Sequence, residues 1–386
     1  MKKGWETKKL GDLCQVIAGQ SPDGKFYNSE GKGVPFYQGK KDFGEKFVNA
    51  PKTWTIKTTK IARKGDILIS VRAPVGPINL STGEICIGRG LAAIRNQEDL
   101  DRDFLFYQLL HLQPEIAGKE GAVFASISKS EIEALPLVFS SFPEQQRIVG
   151  ILDKAFEGIA VAKANTEKNL QNARAIFESH LNAVFSQRGE GWVETRLGDM
   201  SRINYGYTES ASAEKVGPHF LRITDIQDNR VDWDAVPYCP IDASYLPKYK
   251  LADGDIVFAR TGATTGKSYL VSNPPESIFA SYLIRVQLSN KGLLPQFVNL
   301  FFQTHSYWDT IRAGVSGSAQ GGFNATKLGG LVIPFPKSLK EQVSVVAQLD
   351  ALSAETQRLE TIYQRKLTAL EELKKSLLHQ AFEGEL

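Results

Sequence analysis

The segment Thr261-Gly262-Ala263-Thr264-Thr265-Gly266-Lys267-Ser268 nearly spells a phosphate-binding loop. Such a loop cradles phosphates with glycine-freed amides and a lysine, but its pattern needs Gly or Ala where Thr261 stands. No strand ending in a magnesium-binding Asp is evident downstream, so the segment reads as a Gly/Thr loop. Asn273-Pro274-Pro275-Glu276 begins like the catalytic loop of amino-methyltransferases, whose flipped base stacks on an aromatic at the fourth position. Glu276 occupies that position here, and no Gly-rich cofactor loop follows a first strand. Pro22-Asp23 with Glu30-Gly31-Lys32 imitates a nuclease metal site, yet these carboxylates lie in a Gly/Ser-rich stretch that would not hold an ion rigidly. His111, His180, His219, His305 and His379 show no metal-ligand spacing. Cys14, Cys86 and Cys239 are scattered singly, as expected of buried thiols in a reducing cytoplasm. The residues therefore supply no catalytic constellation, no metal site is expected from their spacing, and the chain is expected not to be catalytic alone.

The elements that carry these loops occur twice. Trp5-Glu6-Thr7-Lys8-Lys9-Leu10-Gly11-Asp12 is answered by Trp192-Val193-Glu194-Thr195-Arg196-Leu197-Gly198-Asp199. Arg63-Lys64-Gly65-Asp66-Ile67-Leu68 is answered by Ala252-Asp253-Gly254-Asp255-Ile256-Val257, each running into an arginine, Arg72 or Arg260. Glu144-Gln145-Gln146-Arg147-Ile148-Val149 pairs with Glu341-Gln342-Val343-Ser344-Val345-Val346. Leu10 to Leu197 is 187 residues and Phe185 to Phe382 is 197, a period too long for a solenoid. It marks a duplicated domain with its connector, and hence internal pseudo-two-fold symmetry.

Residues 1–143 and 186–336 are rich in Gly, Pro and aromatics, with short apolar runs such as Ile67-Leu68-Ile69 that read as buried strands. Helical stretches are brief there, around Asp103 to Leu112 and Pro295 to Thr304. Each module is expected to be α+β. Segments 144–185 and 337–386 differ: 144–185 and 341–382 are free of proline and read as long helices. In the second, Val345, Leu349, Leu352, Leu359, Tyr363, Leu370, Leu373 and Leu377 fall on a heptad seam with Thr356 and Lys366. The matching positions of the first are Ile148, Leu152, Ala155, Ile159, Ala162, Ala173 and Ile176, with Thr166, Asn169 and His180. Many of these are small. An antiparallel pairing with Ile148 opposite Leu377 sets Ala155 against Leu370, Ala162 against Tyr363, Thr166 against Leu359 and Ala173 against Leu352. The expected fold is two globular modules separated by two long antiparallel coiled-coil helices, each a rod of roughly 60 Å.

Charge narrows the ligand. Residues 1–60 hold twelve lysines against six acids, whereas 186–336 balance fourteen bases with fourteen acids. A lysine-rich first module suits a polyanion, but a net charge of +3 is too mild for strong solitary DNA binding. No apolar run approaches the ~20 residues of a membrane span and no signal-peptide pattern opens the chain, so a cytoplasmic protein without membrane contact is expected.

With these features the chain resembles the specificity subunits of type I restriction–modification systems. The resemblance covers essentially the whole length. It rests on the repeated Glu-Gln-x-x-x-Val at 144–149 and 341–346 and on the ending Leu377-Leu378-His379-Gln380-Ala381-Phe382-Glu383-Gly384-Glu385-Leu386. Further marks are Gly19-Gln20-Ser21-Pro22 with Phe36-Tyr37-Gln38-Gly39-Lys40, and Tyr205-Gly206-Tyr207-Thr208 with Leu221-Arg222-Ile223-Thr224-Asp225-Ile226. The resemblance implies that 1–143 and 186–336 are target recognition domains, each reading one half of a bipartite, asymmetric site on double-stranded DNA. It implies that the helices of 144–185 and 337–386 space the modules and dock two methyltransferase subunits acting on adenine N6, with motor–nuclease subunits in the full complex. No cofactor is then bound by this chain; S-adenosylmethionine, ATP and magnesium belong on partner subunits. The alternative is a non-catalytic coiled-coil interaction scaffold whose modules bind protein or glycan, against which the lysines of residues 1–60 and the paired polar loops argue.

Base readout needs donors and acceptors on protruding loops, with phosphate contacts from lysine, arginine and hydroxyls. The candidates in the first module are Gln20, Ser21, Lys25, Gln38, Lys40, Lys41, Arg72 and Arg89, interspersed with Gly19, Gly39, Gly76 and Gly88. In the second they are Tyr207, Thr208, Arg222, Thr224, Asp225, Arg260, Thr261, Thr264 and Lys267, with Arg222 and Arg260 favoured for guanine. A further paired loop, Gly121 to Lys129 and Gly317 to Asn324, precedes the last strand of each module and could line a phosphate. If the helices act as a ruler, lengthening both by one heptad should widen the spacer between half-sites by roughly 3 bp, since seven residues add ~10.5 Å and B-DNA rises ~3.4 Å per pair. Methylome sequencing of an active variant reads the spacer directly, and an unchanged spacer refutes the ruler.

Overall fold

The structure is a computed structural model that describes residues 4–117, 126–227, 229–289, 291–316 and 322–386. The chain divides into two compact units, Met1–Glu167 with Arg365–Leu386, and Lys168–Gln364. These units cut across the four segments expected from sequence, because each takes in the adjoining portions of both long helices.

In the first unit the continuous run Ile67-Leu68-Ile69 is a strand buried on both faces. The strand Ile67–Ser70 lies in an antiparallel sheet ordered Cys14–Ala18, Leu91–Asn96, Ile67–Ser70, Ile78–Leu80. Alternate side chains leave opposite faces of a strand. Ile67 and Ile69 therefore join the core formed with helix Arg102–Ala117, while Leu68 packs with Tyr37, Ile85 and Ile87 of a second, mixed sheet. The second unit repeats the plan with Ser201–Tyr205, Leu283–Leu288, Ile256–Ala259 and Ser268–Leu270. Ile256 and Phe258 face one core, and Val257 and Ala259 the other. Helices Pro295–Phe301 and His305–Ser316 stand where the first unit has one helix.

The repeated Gly-Asp pairs are turn chemistry. Gly65 and Gly254 have φ of 89° and 84°, a left-handed conformation that glycine adopts without a Cβ penalty. The next residue closes each turn on the chain behind it: Asp66 accepts the Arg63 amide at 2.8 Å, and Asp255 accepts that of Ala252 at 3.0 Å. Asp66 also holds Arg95 in a two-pronged ion pair. All three cysteines are buried free thiols, and burial pushes Cys14 up to about 12 and Cys239 up to about 11, which keeps both protonated and unreactive.

The long helices run Phe142–Ser186 and Leu339–Glu383. Their repeated Glu-Gln motif is a structural joint. Gln145 is fully buried; its Oε1 accepts the Asp101 amide at 2.7 Å, and its Nε2 donates to the carbonyls of Asp99 (3.1 Å) and Ser140 (2.8 Å). Gln342 does the same with the Leu294 amide (2.9 Å) and the carbonyls of Gly292 and Pro336 (both 2.8 Å). Asp101 in turn caps helix Arg102–Ala117 by accepting from the Asp103 and Phe104 amides.

Two expectations about the seam are corrected. Ile176 and Leu373 are 49% and 46% exposed, and His180 is exposed as well. The inward stripe of the first helix instead passes through buried Ala173, half-buried Phe177 and buried Leu181 and Phe185, a step of four each time. A strict heptad demands a supercoil, whereas a straight helix drifts ~20° per heptad. Over the remaining seam positions, Asn169 and Lys366 are also exposed, Ile148, Leu152, Thr166, Ala173, Leu349 and Thr356 are buried, and Ala155, Ile159, Ala162, Val345, Leu352, Leu359, Tyr363, Leu370 and Leu377 are half-buried.

The register is the second correction. In the first unit Arg147 donates to the Leu386 carbonyl at 2.8 Å and Lys163 pairs with Glu371 at 2.7 Å, so the helices there are antiparallel. The expected register sets Arg147 opposite Leu378 rather than Leu386. In the second unit Arg174 pairs with Glu360 at 3.1 Å, where the expected register offers Ala351. At both ion pairs the shift is nine residues, about two and a half turns. The cause lies at the ends: Leu378, Ala381 and Phe382 are buried with Phe104 in the first core, and Leu181, Phe185 and Leu349 with Phe297 in the second. End docking, not seam complementarity, sets the pairing.

No helix among the described residues is long and apolar enough to cross a membrane. Replacing Gln145 or Gln342 with Ala strands an amide and two carbonyls away from water. Each change should lower unfolding free energy by about 3 kcal/mol, read as a shift in urea midpoint; a loss below ~0.5 kcal/mol would refute the joint.

Candidate nucleic-acid interface

Each module folds its candidate loops onto one crossing. After strand Cys14–Ala18 the Gly19 amide donates to the Leu91 carbonyl and the Gln20 amide to that of Ile87, both at 2.9 Å. A Cβ on Gly19 would collide with the carbonyl oxygens of Gly88 and Leu91, so glycine is required where the chain passes. In the second module Gly206 makes the same crossing under the carbonyls of Phe279 and Ala280, and the Tyr207 amide donates to Phe279 at 2.8 Å. Gln20 and Ser21 are thus the topological counterparts of Tyr207 and Thr208.

Parallel strand pairs deliver the next loop. Val34–Tyr37 runs beside Ile85–Ile87 and leads into Gln38; His219–Leu221 runs beside Ser277–Phe279 and leads into Arg222. The Arg89 amide donates to Ser21 Oγ at 3.3 Å, the Gly88 amide to Tyr37 at 2.8 Å, and the Val71 amide to Gly90 at 3.0 Å. Gln20, Ser21, Gln38, Arg72 and Arg89 therefore share one rim, with Lys40 and Lys41 on the adjoining turn Lys40–Asp42. All are exposed except half-buried Ser21. Lys25 projects from the separate turn Gly24–Phe26, paired at 3.2 Å with exposed Asp23. Glu30 is likewise paired with Lys32, at 2.7 Å.

In the second module Tyr207, Thr208, Arg222 and Thr224 line a cavity of about 660 Å³. Asp225 is a positioning residue: its carboxylate takes Arg222 Nε at 3.0 Å and Nη2 at 2.7 Å, and also the Arg222 amide at 2.8 Å. That hydrogen bonding raises the Arg222 pKa further and leaves Nη1 for a ligand. The Arg260 guanidinium lies 4.9 Å above the Tyr205 ring, and its buried Nε has no hydrogen-bond partner among the described residues. Thr261 flanks the turn Gly262–Thr264 and Thr264 closes it. Lys267 instead borders a second cavity of about 380 Å³ with Asn229, Gln303 and Trp308, so it is not gathered with Arg222.

The near-P-loop joins two antiparallel strands, Phe258 pairing with Ser268, with no helix following to present amides to a phosphate. The expected equivalence of Arg72 and Arg260 is off by one. Val71 receives the Ile127 amide and donates to Gly90, as Arg260 receives the Phe323 amide and donates to Tyr282. In extended chain a shift of one residue reverses the side a side chain leaves from. Gly121 to Ala125 and Gly317 to Gly321 lie outside the described residues.

Sequence reasoning overlooked Tyr282, which is 61% exposed, lines the larger cavity, and sits where the first module has Gly90. A lone tyrosine between apolar strands carries no signal of its role; only the exposure does. Tyr205, whose sequence signal is only its place in the Tyr-Gly-Tyr-Thr motif, is 41% exposed beneath Arg260 and joins the candidate contacts.

Residues 2–172 and again 189–369 match the family described as the type I restriction modification DNA specificity domain. The chain belongs to that family. Among its relatives is the MjaX specificity subunit of Methanocaldococcus jannaschii, named for a type I restriction enzyme, 41% identical over 44% of this chain and 40% of that protein. The EcoKI specificity subunit of Escherichia coli is 25% identical over 69% of this chain and 61% of that protein. These matches span about half the length of the curated relatives. A solved structure described as "Structural basis underlying complex assembly and conformational transition of the type I R-M system" superposes with a TM-score of 0.83 at 19% identity, covering 100% of this chain and 99% of that one. That likeness speaks to the fold, which is the duplicated α+β plan of the family. Because Arg72 and Tyr282 are exposed and outside both cores, changing either to Ala should leave the urea midpoint within ~0.5 kcal/mol of the parent. A loss above ~2 kcal/mol would make them structural and remove them from the interface.

Proposed function

We propose that the chain is the DNA sequence-specificity subunit of a type I restriction–modification complex, in which residues 1–143 and 186–336 each read one half of an asymmetric bipartite site. One observation carries this reading. The same loop frame is built twice from matching glycines and hydrogen bonds, and it carries different side chains each time: Gln20, Ser21, Gln38 and Val71 in one module, Tyr207, Thr208, Arg222 and Arg260 in the other. A frame repeated for its shape and varied at its rim suits two readers of two different sequences. The chemistry then belongs to partners: two methyltransferase subunits bearing S-adenosylmethionine and acting on adenine N6, and motor–nuclease subunits using ATP and magnesium, all in the cytoplasm. Their docking surface is the exposed face of the long helices, where Val161, Ile176, Ile362 and Leu373 are among the exposed apolar side chains.

The methyltransferase-bound chain should shift duplex DNA carrying its site with an affinity that falls as salt rises; no shift at any salt concentration would sink the DNA reading. Arg222→Ala and Arg260→Ala should each relax base preference in the second half-site by about 1–3 kcal/mol, and spare the first. Methylome sequencing of cells co-expressing the methyltransferase measures both halves at once, and equal loss in both would overturn the modular assignment.

A further inference from the structure

We propose that His111, His379 and Glu383 form a site for a divalent first-row transition metal, of which zinc suits the donor set best. His111 belongs to helix Arg102–Ala117, and His379 and Glu383 stand one turn apart at the end of the second long helix. Residues four apart on a helix share a face, so the imidazole of His379 and the carboxylate of Glu383 point the same way. One ligand atom from each of the three side chains lies within 4.8 Å of the others. With bonds of about 2.0–2.2 Å, an ion between them requires only side-chain adjustment.

The donors are two imidazoles and one carboxylate, the mixed nitrogen–oxygen set that zinc takes in three-ligand sites. His379 and Glu383 are exposed, so water fills the open coordination position. Packing restrains the rings. Phe382 stacks on His111 with centroids 5.6 Å apart and planes at 28°, and it is itself held edge-on by Phe104 at 5.3 Å. The His379 ring lies 5.8 Å from that of His111.

The repeat provides an internal control. The 197-residue offset between the helices puts Asn182 and Ser186 at the positions of His379 and Glu383. There the Asn182 side chain accepts the His305 amide at 2.8 Å, an ordinary structural bond. The metal-type cluster is therefore not part of the repeated frame, and among the described residues it occurs in the first unit alone. A bound ion ties the last turns of the second long helix to helix Arg102–Ala117, where Leu378, Ala381 and Phe382 already dock. It acts as a removable clamp on the joint between recognition module and helix.

The test uses the untagged full chain, stripped with chelator and dialysed. Titration calorimetry with zinc chloride should show one ion per chain with a dissociation constant on the order of micromolar or tighter, and zinc should raise Tm. His379→Ala and Glu383→Gln should each weaken binding by at least about 10-fold, the cost of losing even an outer-shell partner of a metal, and remove the zinc-dependent rise in Tm while leaving the metal-free Tm unchanged. His305→Ala, which alters an exposed histidine of the other unit, should bind zinc as the parent does. Absence of saturable binding in the parent, or an affinity equal to the parent's in both His379→Ala and Glu383→Gln, overturns the site.

Discussion

A fully buried glutamine has one acceptor and two donors to satisfy, and Gln145 and Gln342 satisfy all of them where a long helix meets a module. Each amide ties together the loop before or within the helical layer, the end of the last strand and the first turn of the long helix. Apolar packing alone would let a helix of 45 residues swivel or slide on its module. Hydrogen bonds from an amide have direction, and inside the core nothing else would satisfy the groups they reach. The joint therefore defines how each helix leaves its module, and the placement of the rest of that helix follows from it.

The far ends of the helices complete the arrangement. Phe382 enters the core of the first unit against Phe104, and Phe185 enters that of the second against Phe297 and Trp192. A helix docked at its tip by an aromatic cannot shift to optimise small-against-large contacts along its length, because the aromatic burial is worth more than several half-buried alanine contacts. This is why the ion pairs Lys163–Glu371 and Arg174–Glu360 follow a register different from the one that seam complementarity alone favours.

The modules divide their residues between frame and rim. Gly19 and Gly206 exist for the passage of one strand beneath two carbonyls, and Asp66 and Asp255 exist to close a turn. Side chains at the rim are under no such constraint, so Gly90 and Tyr282 share a backbone role while presenting nothing and an exposed phenol respectively. Asp225 is the exception: it belongs to the rim, yet its work is to hold Arg222 in a defined orientation.

Duplication, the α+β modules, the two long helices and the central strands were legible in the sequence, because each follows from local pattern: matched strings, apolar runs and proline-free stretches with helical periodicity. The candidate rim was legible in part, since Gly-flanked polar residues at strand ends mark loops. The sequence alone did not determine which loops meet, so Lys267 fell outside the group, the Arg72–Arg260 equivalence slipped by one, and Tyr282 passed unnoticed. The helix register and the approach of His111 to His379 and Glu383 were likewise decided only by tertiary structure. Periodicity records the angle of a side chain around its own helix. Which residue of another element lies across from it depends on how the ends are anchored, and that information resides in three-dimensional packing.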